Sequence, residues 1–300
     1  MQLELPGAGY GPARYPTRRR IELFADWIEA QALVLEEPLS QPNLVDRLEG
    51  TALVRDSDDA WALIGDAFST CRFRRRHMDN AYPFSIAGDV IEFESRERKA
   101  YLFCLLASLP EQFVPLRLGY PKDFRDHFEE VVAAALRVIM QGWDVYETGW
   151  SKIAAEGKLG IVQRIAEWAK GKFQDQTVFP SANDAQVDVA VVKRFRDGRS
   201  AIPVLLGQCA TGVTDWTTKA ARPNIDRWCK AVQFSSTPVR LFAVPFALDD
   251  ESFREASVES NGLILDRIRI CGALASVDVA LDAKLTAWLD QARPMIPLAA

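Results

Sequence analysis

Asp184–Lys219 reads DAQVDVAVVKRFRDGRSAIPVLLGQCATGVTDWTTK. Two apolar runs, Val187–Val192 and Ala201–Gly207, flank a turn-forming Asp197-Gly198-Arg199-Ser200, so the segment predicts a β-hairpin. One acid, Asp188, lies inside the first run. The second run ends in Gln208-Cys209-Ala210, followed by Thr211-Gly212 and then Lys219. A carboxylate inside an apolar strand is costly to bury unless a cation or hydrogen bonds compensate it, which marks Asp188 as a candidate functional residue.

Around this hairpin the chain is long enough for one large domain or two modest ones, with 300 residues of which 48% are hydrophobic and 26% charged. Cys71, Cys104, Cys209, Cys229 and Cys271 are odd in number, scattered, and without CxxC pairs. That pattern argues against a disulfide framework or a structural zinc and fits a reducing cytoplasm. The first twenty residues lack the apolar core of a signal peptide, and no run is long enough to span a bilayer. A cytoplasmic protein with no membrane partner is expected. The net charge of −5 argues against holding nucleic acid by charge alone, so such contact must be local or shared with a partner.

Before the hairpin, Ile21–Leu35 carries apolar residues at helical spacing and stops at Pro38. Ser40 predicts an N-cap for a short helix through Leu48, with Pro42 tolerated in its first turn. Ser57 predicts the cap of a helix over Ser57–Cys71. The basic run Arg72, Arg74, Arg75, Arg76 and His77 follows. It reads either as a solvated helix end favoured by the C-terminal dipole or as a patch that contacts phosphate or a partner. Tyr82–Phe93 predicts strand around Gly88-Asp89, and Ala100–Leu109 a short buried helix. Leu116–Asp123 is rich in turn formers and gives the expected boundary, with a mainly helical domain over 1–117 and a second domain over 118–300.

Phe124–Met140 is strongly amphipathic, with Phe128, Val131, Val132, Ala135, Leu136 and Ile139 on its buried side. Gly142–Trp150 reads as loop or short strand and Leu159–Lys170 as helix. Beyond the hairpin come a helix over Ala220–Ala231 with Pro223 in its first turn, and a buried strand over Val239–Phe246. The polar Glu251–Glu259 reads as surface, Gly262–Leu274 mixes strand and helix signals, and Asp278–Ala292 predicts a closing helix. The expected class is α/β: a mixed central β-sheet flanked by helices, with a mainly helical N-terminal region.

From the helix carrying Phe128-Glu129, the strand VDVAVV with Asp188, the strand VLLGQC ending at Gln208, and the helix after it, residues 118–275 resemble the restriction-endonuclease-like, or PD-(D/E)XK, superfamily. GQCATG followed by Asp215-Trp216 and Lys219 is similar to a bacterial branch associated with phage defence. The resemblance implies a Mg²⁺- or Mn²⁺-dependent nuclease acting on DNA, or a nuclease-derived effector, in anti-phage defence, together with a partner protein of a defence system. It implies Asp188 as a fixed metal ligand and Gln208 in the place of the second acid. The Cys209 carbonyl would be a further ligand, Glu129 would reach the metal directly or through water, and Lys219 would orient water or stabilise charge. Outside the stretch that carries the resemblance, the patch reading of the basic run makes Arg72, Arg74, Arg75 and Arg76 candidate nucleic-acid contacts.

The chain departs from the family pattern twice. Gln208 stands where Asp or Glu is usual, which lowers the charge of the site. Ala210 stands where the family lysine is usual, leaving Lys219, with Lys193 on the earlier strand a poorer alternative. Each residue also has a plain reading: Gln208 as a sheet-edge cap, Lys219 as a surface lysine, Glu129 beside Glu130 as part of a solvated face, Asp184 as a loop acid. A Cys209 nucleophile is disfavoured because GQCATG matches neither the caspase nor the papain order. A catalytically silent relative that binds nucleic acid or scaffolds a complex is the alternative function.

Overall fold

The computed structural model describes Leu5 and residues 17–95, 97–109, 124–149, 160–175, 177–179, 185–212 and 216–275, without the side chains of 17–19 and 124–126. The expected boundary at Leu116–Asp123, the helix over Asp278–Ala292, and Asp184 and Asp215 lie outside these residues. The described chain is mixed α/β and forms two compact units. The first holds the described residues up to Leu109 with Phe246–Asp249, Leu274 and Ala275; the second holds those of Phe124–Pro245 and Asp250–Ala273. Among the described residues no helix is long and apolar enough to cross a membrane.

In the first unit, α1 (Thr17–Leu35) packs on α3 (Ser57–Met78). Between them β1 (Leu39–Ser40) leads into α2 (Gln41–Leu48), which Ser40 caps by accepting the Asn43 N–H, as its sequence predicts. The cap of α3 is Asp56 rather than Ser57: its carboxylate accepts the Asp59 N–H at 2.8 Å. A carboxylate here also favours the helix dipole, which a hydroxyl cannot do as well. β2 (Phe84–Ala87) and β3 (Val90–Phe93) form a hairpin whose Gly88 adopts φ +60, a conformation that favours glycine. α4 (Lys99–Ala107) is buried from Tyr101 onward.

The basic run does not form one patch, because α3 continues through it and turns its members in different directions. Arg74 is buried, and its guanidinium pairs with Asp26 at 2.8 Å and Glu29 at 2.9 Å. Glu29, also fully buried, accepts hydroxyl hydrogens from Tyr82 at 2.8 Å and Tyr101 at 2.7 Å. The Arg74 charge is thus consumed inside the fold, and Arg74 is withdrawn as a nucleic-acid contact. Arg72 and Arg75 donate to the Gly88 and Ile86 carbonyls, tying α3 to the β2–β3 hairpin, while Arg76 is exposed.

The second unit is built on a five-stranded sheet. α5 (Phe124–Ile139) precedes β4 (Asp144–Glu147), and a helix over 160–168, α6, precedes the short β5 (Lys172–Phe173). The hairpin is β6 (Val189–Val192) and β7 (Val204–Cys209). Next come α7 (Trp216–Lys219), α8 (Ile225–Ala231), β8 (Val232–Gln233), β9 (Val239–Ala243), α9 (Asp250–Ser260), β10 (Gly262–Leu265) and α10 (Arg267–Leu274). The sheet order is β10-β9-β7-β6-β4, antiparallel across β4, β6 and β7 and parallel across β7, β9 and β10. All four β6 residues are buried, as expected of a strand covered on both faces. Against Ala190, Val192, Val204 and Leu206 pack Ile161, Ile165 and Ala169 of the α6 region and Trp228 of α8.

Two element boundaries move for identifiable reasons, and one surface segment proves helical. β7 begins at Val204, not Ala201, because Pro203 has no N–H for the ladder, though its carbonyl still accepts the Lys193 N–H. The helix expected over Ala220–Ala231 begins at Ile225: Asn224 caps it by accepting the Arg227 N–H, which leaves Pro223 outside. The polar Glu251–Glu259 is helical, within α9, burying Ala256 and Ser260 and leaving Val258 exposed.

Candidate functional site

Asp188 sits immediately before β6. Its N–H donates to the Gly207 carbonyl at 2.7 Å, and its own carbonyl accepts the Thr148 N–H at 2.8 Å. The backbone at Asp188 is therefore held from both neighbouring strands, which fixes the direction of its side chain. Gly207, in register with Val189 and Leu241, must be glycine for space: an added Cβ would lie 2.5 Å from Val189 Cγ1 and 2.9 Å from Leu241 Cδ2. That close passage brings Gln208 and Cys209 to the side chain of Asp188.

Asp188 Oδ2 accepts two hydrogen bonds, from the Cys209 N–H at 2.7 Å and from Gln208 Nε2 at 2.5 Å. Gln208 Nε2 also reaches the Cys209 carbonyl at 3.3 Å. Glu129, on α5, is buried, and its carboxyl group lies against Gly149, just past the end of β4. Burial pushes the Cys209 thiol well above its ordinary range, and the nearby carboxylates Asp188 and Glu129 push it further. The thiol stays protonated at neutral pH, which removes the thiolate that a cysteine nucleophile needs. Gly149 directly follows Thr148, whose N–H donates to the Asp188 carbonyl, so Glu129 lies beside the segment that carries Asp188.

Asp188, Gln208, Cys209 and Glu129 are therefore brought together. Lys219 ends α7 and is partly exposed. Trp216 of the same helix stacks near Phe242 at 6.4 Å, and Phe242 is in register with Gln208, so α7 lies over the strand beside the site. Lys193 is directed elsewhere: its ammonium donates to the Gly142 carbonyl at 2.8 Å, past the far end of β6. It is not the site lysine.

No protein-family model, curated protein or solved structure matches the chain. What the site can do follows from its donors. Among the described residues, no three His, Cys, Asp or Glu side chains gather into a metal-holding group. A cation here would rest on two carboxylates, Asp188 and Glu129, with neutral oxygens from the Gln208 amide and the Cys209 carbonyl. An all-oxygen set carrying two negative charges suits a hard dication such as Mg²⁺. The residues fit on one condition, that the Gln208 amide turns its oxygen toward Asp188.

Thr148 and Gly149 belong to the site and were not singled out from the sequence. Their signal is a glycine two residues past the end of a short strand, a place where close approach of another group calls for glycine.

Proposed function

We propose that this chain is a Mg²⁺- or Mn²⁺-dependent nuclease on a restriction-endonuclease-like fold, hydrolysing phosphodiester bonds of DNA in anti-phage defence beside a partner protein. The observation that carries the reading is the meeting of Asp188 with Gln208 and Cys209 at the ends of two adjacent strands. The strand order supports it too: an antiparallel hairpin bears the site, and a helical crossover leads to the parallel β9.

In this reading Asp188 and Glu129 supply the negative charge that holds a dication, while the Gln208 amide oxygen and the Cys209 carbonyl complete the donors. The bound dication would activate water and neutralise charge building on the phosphate. Asp188 is kept in one orientation by the Cys209 N–H, which lessens the reorganisation that binding a ligand would require. Lys219 supplies positive charge for the phosphate oxygens.

A second reading is a silent nuclease fold that binds nucleic acid or scaffolds a complex. The Gln208–Asp188 hydrogen bond favours it, since that bond satisfies the carboxylate without a cation. Plasmid cleavage in Mg²⁺ or Mn²⁺ separates the two. The nuclease reading expects nicking or linearisation by the wild type and none by Asp188→Ala. Cleavage that persists in Asp188→Ala refutes the site; no cleavage by either protein, with or without a defence partner, favours the silent fold.

A further inference from the structure

Thr148 and Gly149 touch both segments that carry the carboxylates. Thr148 is fully buried; besides the bond from its N–H to the Asp188 carbonyl, its hydroxyl donates to the Val187 carbonyl at 2.9 Å. These two bonds hold consecutive peptide units just ahead of β6, at the point where the Asp188 side chain departs. The next residue serves the other carboxylate. A Cβ added at Gly149 would overlap the Glu129 carboxyl group, and even the farther oxygen would lie only 2.6 Å away. The backbone of Gly149 is not left-handed, so glycine is required here for space rather than for conformation.

We propose that Thr148–Gly149 is a positioning element, setting the separation of Asp188 and Glu129 so that the two carboxylates form one cation site. The inference rests on the reading of this centre as cation-binding. The Glu129 carboxyl lies against Gly149 and the Asp188 backbone is bonded to Thr148, so consecutive residues restrain two groups whose like charges repel. Thr148 restrains Asp188 through the backbone. Gly149 gives Glu129 a recess that a single methyl group would fill. A pair held at fixed separation meets a dication already organised, and groups that orient ligands in this way commonly change metal affinity by about 10- to 100-fold.

The test is calorimetric titration of the full chain with Mn²⁺, alongside circular dichroism and thermal unfolding. Gly149→Ala and Thr148→Val are expected to remain folded and bind Mn²⁺ at least about tenfold more weakly, whereas Thr148→Ser, which keeps the hydroxyl, stays close to wild type. Glu129→Asp withdraws the carboxylate by one methylene without altering Gly149, and it too must weaken binding. It decides the matter should Gly149→Ala fail to fold. Wild type that binds Mn²⁺ and loses it in Asp188→Ala, while Gly149→Ala or Glu129→Asp binds unchanged, overturns the positioning role and leaves the cation site standing. Wild type that binds no Mn²⁺ overturns both.

Discussion

The Gln208 carboxamide donates to Asp188 Oδ2 and, at 3.3 Å, to the carbonyl of Cys209. One N–H₂ group thus lies between two acceptors, closing the site on itself. A cation and this amide hydrogen compete for the same oxygens. Rotation about the terminal bond exchanges the amide nitrogen for its oxygen, and an oxygen facing Asp188 is tolerable only with a positive charge between them.

Gln208→Glu removes the donor and adds a charge, so Mn²⁺ binding should tighten by about tenfold or more, since ligand charge is a main control of affinity at oxygen sites. Calorimetric titration of wild type and variant checks this. Equal affinity in two folded proteins would show that the amide does not gate the site.

Glu22 gives a pH dependence in the first unit. Its carboxyl accepts the Asp249 N–H at 3.1 Å, and burial raises its pKa to about 7, helped by the charges of Asp249 and Asp26. The folded state holds this proton more tightly than the unfolded chain does. The stabilisation is therefore complete below about pH 4.5, declines as pH rises, and is gone above about 7. Urea unfolding between pH 4.5 and 8 should show a decline of up to about 3 kcal/mol from this group. Glu22→Gln keeps the acceptor and should flatten that slope while stabilising the protein at pH 8. An unchanged slope would assign it to other residues.

Arg74→Met should destabilise the first unit by about 3–5 kcal/mol, because it leaves the buried carboxylates of Asp26 and Glu29 without their cation. Chemical denaturation at neutral pH measures the loss. A cost near that of a surface substitution would mean that the Arg74 pairings contribute little to the folded state.

Gly207→Ala forces a methyl group between Val189 and Leu241, and an overpacked sheet of this kind loses about 1–3 kcal/mol. The variant should unfold at lower denaturant concentration. Its effect on Mn²⁺ binding should exceed that of an equally destabilising change far from Asp188, because the same shift displaces Gln208.

Periodicity and turn chemistry made the hairpin, α5 and the Ser40 cap legible, because local residues decide each of them. The Asp188–Gln208 meeting was legible for the same reason: a hairpin with a turn near Gly198 returns the chain beside its own start. Arg74 was not, since a charge run looks solvated until distant Glu29 and Asp26 close over it. Thr148 and Gly149 were missed because their roles depend on partners distant in the chain and on other elements, Asp188 for Thr148 and Glu129 for Gly149. The helical start at Ile225 turned on which polar residue wins the cap, a competition that spacing alone does not resolve.

Phe246–Asp249 joins β9 to α9, two elements of the second unit, yet is folded into the first, with Phe246, Ala247 and Leu248 buried. The first unit is thus discontinuous in the gene: a fragment ending at Lys122 would encode Glu22 without Phe246–Asp249, the segment whose Asp249 N–H its carboxyl accepts.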